Sequence, residues 1–145
     1  PFALVFFLCR HYFVSGWPSP TVLLAFAASL IMGFLIGVFL ESAIGMIGFW
    51  FLEVSSLLFG YMLFSFFLSG PMFPLTLLPD DIERIVNFMP FKYLAYFPAA
   101  VFLGKIPEAD LGTELLVEFG WLVFFIVVCR LAYARGVRRY SGYGG

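Results

Sequence analysis

From Thr21 to Leu40 the chain carries no charged side chain, and only Thr21 and Ser29 are polar. A bilayer core of roughly 30 Å needs about 20 apolar residues of helix at 1.5 Å per residue, so this run has the length of one crossing. Ser19 and Pro20 precede it as a capping hydroxyl and a first-turn proline, which sets the start of a helix. A second uncharged run extends from Val54 to Pro79. Pro71 and Pro74 break helical backbone, so the span is read as 54–70, ending at Gly70. A third, 115–134, has Glu118 near one end and Arg130 near the other, where long side chains reach the interface.

Composition agrees. Hydrophobic residues make up 63% of the 145, and only 12% are charged, against roughly 25% in soluble domains. A mean hydropathy of +1.03 excludes intrinsic disorder. A net charge of -1 provides no basic face for nucleic acid. Cys9 and Cys129 stand in separate apolar runs without metal-ligand spacing, and His11 is the only histidine, so no metal site is indicated.

The fold class expected is therefore an all-α integral membrane protein. It has about three full spans plus the remnant of a fourth at 1–9, which makes the chain read as a fragment that starts inside a helix. Glu41 and Glu53 bracket an uncharged stretch too short to cross, and Gly45 and Gly48 permit a bend there, so a tight connection is expected between them. Arg130, Arg135, Arg138 and Arg139, with no acid after Arg130, place the tail 135–145 on the cytoplasmic side. The segment 71–110 then lies outside. It holds six of the nine prolines yet stays aromatic, and it reads as a re-entrant or interfacial helical hairpin before the last span. Ile82, Ile85, Val86 and Met89 space one short helix after Asp80, and Ala99 to Leu103 form a second apolar stub before Gly104 and Lys105. A plain surface loop is the alternative.

The runs Met72-Phe73-Pro74-Leu75 and Leu78-Pro79, the block Pro90-Phe91-Lys92-Tyr93-Leu94-Ala95-Tyr96-Phe97-Pro98-Ala99-Ala100 and the ending Arg138-Arg139-Tyr140-Ser141-Gly142-Tyr143-Gly144-Gly145 have a known likeness. Together they resemble the C-terminal half of bacterial type-two ATP-binding-cassette exporter permeases that lack an ATPase domain of their own. The resemblance implies a multi-pass subunit of the bacterial plasma membrane, paired with a second permease copy or a sister permease. Two separate ATPase subunits would carry ATP and magnesium. The chain has no GxxxxGK[ST] phosphate loop of its own and no nucleophile–base pair for intramembrane catalysis. Exporters of this class are similar in having an outer hairpin before the last span, and their main coupling helix belongs to a part not present in this sequence.

Within that frame, Gly70, Phe73, Pro74, Pro79, Pro90, Phe91, Lys92 and Tyr93 are candidates for the hairpin and outer gate. Tyr61, Phe64 and Ser65 are candidates for pathway lining, alongside Phe66, Phe67 and Ser69; aromatics at this spacing also serve packing or face lipid. Glu41, Glu53, Arg135, Arg138 and Arg139 are candidates for a cytoplasmic coupling surface, with solvated helix ends and lipid anchoring as the plain alternatives. Ala25, Ser29, Gly33 and Gly37 recur every fourth residue as a helix-packing stripe. Asp110, Glu114 and Glu118 are read as stabilising the positive end of the last helix. Without buried charge in the spans, an amphipathic or hydrophobic cargo is favoured over a small ion. The rival reading is a structural or assembly subunit of a larger membrane complex.

Overall fold

The computed structural model describes residues 18–51, 53–69 and 86–140. The expected remnant span at 1–9, His11, the hairpin candidates Gly70, Phe73, Pro74 and Pro79, the first part of the short helix after Asp80, and residues 141–145 lie outside the described residues.

Helix α1 covers Pro20–Met46, and at 27 residues it is about 40 Å long. Ser19 caps it: the Val22 N–H donates to its Oγ at 3.3 Å. The helix runs past Glu41 and through Gly45, so the connection expected between Glu41 and Glu53 is confined to its second half. Glycine does not stop a helix with an apolar surface throughout, because in lipid the backbone has no other hydrogen-bond partner than its own turn. A 3-10 turn at Ile47–Phe49 follows, where the Trp50 and Phe51 N–H groups both donate to the Ile47 carbonyl. Helix α2, Ser55–Leu68, has 14 residues and is about 21 Å long, shorter than the 54–70 span expected. It ends where both the N–H and the hydroxyl of Ser69 turn back to the Ser65 carbonyl.

Beyond the undescribed stretch, Pro90–Leu94 is a 3-10 helix and α3 spans Tyr96–Phe102. The expected stub at Ala99 begins three residues earlier, because Pro98 sits in the first turn, where its missing N–H costs nothing. Gly104 closes α3 at φ +65°, a left-handed turn that suits glycine, with the Lys105 N–H returning to the Ala100 carbonyl at 2.9 Å. Helix α4 then runs unbroken over Glu108–Tyr140.

Among the described residues, three side-chain hydrogen bonds tie α1 and its N-cap to α4. The Ser19 hydroxyl donates to Glu108 Oε1 at 3.1 Å, the Ser29 hydroxyl to Glu118 Oε1 at 3.2 Å, and the Cys129 thiol to the Phe39 carbonyl at 3.0 Å. The partners are 89, 89 and 90 residues apart, so the helices are parallel and stay in register. From Ser19 to Phe39 that register holds over about 30 Å, the thickness of a bilayer core. Because α1 and α4 begin at the same end, the chain between Ile47 and Pro107 must return from one end of the pair to the other.

The core between them contains Val22, Ala25, Ile36, Tyr93, Phe97, Val101, Leu111, Leu122 and Phe125. Outside it, Leu24, Phe34, Leu116 and many other large apolar side chains are open. Water does not tolerate an apolar surface of that extent, whereas lipid tails do. Helices α1 and α4 are both long and apolar enough to cross.

At the far end of the pair, α4 touches the turn after α1. A Cβ added at Gly136 would overlap the Phe49 ring, with Phe49 Cγ at 2.7 Å and Cε2 at 3.0 Å. Gly136→Ala is expected to cost about 1–3 kcal/mol in detergent unfolding, and Phe49→Ala in the same chain is expected to relieve much of that loss.

Candidate functional site

Glu114 and Glu118 are one helical turn apart on α4, so they share a face, and that face points inward. Ser29 and Gly33 hold the same spacing on α1. Where the two faces meet, the 3-10 helix Pro90–Leu94 is inserted. A Cβ at Gly33 would collide with the Tyr93 backbone carbonyl, with the Tyr93 carbonyl carbon at 3.3 Å and Glu118 Oε1 at 3.6 Å. Gly37 lies against Leu94, its Cβ position 3.5 Å from Leu94 Cδ2. The small residues of α1 therefore admit a backbone segment as well as a helix. Gly33 is about 20 Å along α1 from Pro20, so Tyr93 sits near mid-depth between the spans.

Two side chains fasten the inserted segment. Lys92 Nζ contacts both oxygens of Glu114, at 2.9 and 3.2 Å, and the Tyr93 hydroxyl donates to Glu114 Oε2 at 2.9 Å. Lys92 also lies 4.9 Å from the centroid of the Tyr93 ring. The Tyr93 ring meets Phe97 edge-on at 5.2 Å, and Phe102 packs on Phe26 of α1 at 5.1 Å. The limb 90–102 thus runs from mid-depth back toward the end where α1 and α4 begin. Phe91 faces Tyr61 of α2 at 6.4 Å, and Pro90 is buried.

Glu118 is completely buried. Its Oε1 accepts from Ser29, and among the described residues its Oε2 has no hydrogen-bond partner. Reading Glu114 and Glu118 as helix-dipole groups needs correction. The first turn of α4 holds Glu108 and Asp110, and the dipole's influence fades within that turn. Glu114 and Glu118 are used for the inserted limb and for α1. The premise that the spans bury no charge-bearing group fails with Glu118, and with it the inference about cargo.

The remaining candidates fall in two places. Tyr61 and Ser65 line an open groove of about 430 Å³ with Glu41, Leu58, Met62, Phe66 and Ser69, whereas Phe64 points away and is exposed. Glu41 is near the C-terminal end of α1, Arg135 and Arg138 are near that of α4, and Glu53 precedes α2 and accepts weakly from Ser56 at 3.4 Å. Arg139 has no described side chain. In the packing stripe, Ala25, Ser29 and Gly33 are buried and Gly37 is half-buried. Among the described residues no cluster of three His, Cys, Asp or Glu could hold a metal.

Sequence reasoning named Ser29, Lys92 and Tyr93 as candidates but gave their partners Glu114 and Glu118 only a helix-end role. A signal was available: two acids one turn apart inside an apolar helix have to meet something.

Neither a curated protein nor a solved structure gives a significant match to the chain. The family model of the ABC-2 family transporter proteins matches residues 3–144, nearly the whole sequence. With two apolar helices long enough to cross a bilayer, the chain belongs to the ABC-2 transporter family and is a membrane-embedded permease component of an ABC transporter.

Proposed function

We propose that the chain is a permease subunit of an ATP-driven exporter in the bacterial inner membrane. It forms the translocation pathway with a second copy or a sister permease and is powered by two separate ATPase subunits that hold ATP and magnesium. The observation that carries this reading is the limb 90–102, set at mid-depth between two parallel spans and fastened there by the Lys92–Glu114 pair. Backbone of this kind persists at membrane depth only where protein covers it or a water-filled path adjoins it.

Orientation follows from the basic end. Arg130, Arg135 and Arg138 sit at the end of α4, and basic residues favour the cytoplasm. The limb then descends from the outer side, while Glu41, Glu53 and the arginines face the ATPase side. In alternating access, closure of the ATPase pair tilts the spans from the inner end, and the limb seals or opens the outer exit. The groove beside Tyr61 and Ser65 supplies a wall of the path, joined to the limb through Phe91.

Purification of the full-length protein from its native membrane in mild detergent, with mass spectrometry of its partners and an ATPase assay, tests the reading. A stoichiometric phosphate-loop ATPase is expected, with hydrolysis that falls several-fold in an Arg135→Glu, Arg138→Glu variant. A chain fixed in an assembly without an ATPase would instead establish the structural-subunit reading.

A further inference from the structure

Glu118 is left over from the arrangement that fastens the limb, and three observations about it converge. It is wholly buried, and among the described residues one of its oxygens is bonded only to Ser29 and the other has no partner. An ionised carboxylate is an acceptor with about four lone-pair sites and needs several donors when removed from water. Among the described residues only one is supplied.

The charges do not balance either. The groups that act on Glu118 are Ser29 from α1, Glu114 from its own helix and Lys92 from the 3-10 helix. Tyr93 comes from the same 3-10 helix and commits its hydroxyl to Glu114. Lys92 is the one cation among them, and both of its short contacts are to Glu114. One ammonium therefore faces two carboxyls, and the nearer has taken it. Gly33 opposite has no side chain to donate a hydrogen bond, and a Cβ placed there would lie 3.6 Å from Glu118 Oε1.

We propose that Glu118 is a proton-binding site: its carboxyl takes one proton from solvent and holds it as a neutral acid while Lys92 is docked on Glu114. The proton completes the charge balance of the cluster, so that docking of the limb and proton uptake are linked, each favouring the other. Withdrawal of Lys92 with the limb opens the cluster, and the proton leaves to water. The proposal concerns the protonation of this chain and stands whichever direction the transporter works in.

The test is infrared spectroscopy of the full-length protein, with the chains that co-purify with it, in lipid at neutral pH. A protonated carboxyl has a C=O stretch well separated from that of a carboxylate. The wild type is expected to show this band, and Glu118→Gln to lose it while keeping its assembly, because the amide copies the neutral acid in shape and charge. Glu114→Gln provides a second reading that does not depend on a change at Glu118. It releases Lys92 to pair with Glu118, so the band is expected to disappear although Glu118 is still present. Identical spectra for the wild type and Glu118→Gln would overturn the proposal, and so would a band that survives in Glu114→Gln. If Glu118→Gln does not assemble, the Glu114→Gln spectrum decides alone.

Discussion

A Gly33→Val variant is expected to lose the docked position of the limb 90–102, with a fall in stability at the upper end of the about 1–3 kcal/mol typical of overpacking. The atom in the way is the Tyr93 backbone carbonyl, which cannot rotate aside as a side chain would. Relief therefore requires the whole 3-10 helix to move, taking Lys92 and Tyr93 away from Glu114. Gly37→Ala is the matched control. Its added Cβ meets Leu94 Cδ2 at 3.5 Å, an ordinary van der Waals contact, and alanine favours the helix by up to about 1 kcal/mol over glycine. Unfolding of the purified protein in detergent is expected to separate the two variants clearly. Equal stability of both would mean that the limb does not rest on Gly33.

The second large effect concerns the fastening itself. Lys92→Met is expected to destabilise the protein by about 3 kcal/mol, the lower end of the range for breaking a buried ion pair. Lys92 is nearly buried, with its side chain 9% exposed, but Glu114 is 32% exposed and recovers some hydration once alone. Glu114→Leu is also expected to be damaging, since it removes the acceptor of the Tyr93 hydroxyl and the short-contact partner of Lys92, leaving the ammonium only the Glu118 carboxyl to turn to. The double variant Lys92→Met, Glu114→Leu is expected to regain most of the loss, because two apolar side chains in place of a buried pair leave no charge unpaired. A thermodynamic cycle over the four proteins measures this. Additive losses would show that the two residues are not coupled.

Much of the architecture was legible from the sequence, because lipid imposes simple rules. Uncharged length located α1 and the apolar part of α4, Ser19-Pro20 fixed the start of α1, and proline with aromatics marked the limb as neither span nor loop. The connection after α1 falls within the expected stretch between Glu41 and Glu53 but only in its second half, for a physical reason. Gly45 is a weak helix former in water, but in an apolar setting the helical bond has no competitor, and α1 continues to Met46. The cluster was harder to see. Its members come from three parts of the chain, and the offset of 89 residues that puts Ser29 beside Glu118 is set by how two helices settle against each other. Local periodicity contains no information on that offset. Glu114 reads as a helix-end acid because the uncharged run puts the start of the span at about residue 115, whereas the helix itself begins at Glu108 and nearly two turns carry Glu114 beyond the reach of the dipole.

The account rests on the limb 90–102 being a moving part of the transport cycle. Phe26 and Phe102, with ring centroids 5.1 Å apart, are the places to hold it still. Both are changed to cysteine in the full-length protein, with Cys9 and Cys129 replaced by alanine. The complex, reconstituted in vesicles with its co-purifying ATPase, is then bridged by a short reducible thiol cross-linker. The account predicts that ATP hydrolysis falls several-fold on cross-linking and returns when the bridge is reduced. Fully cross-linked complex that hydrolyses ATP at the rate of the reduced protein would contradict it.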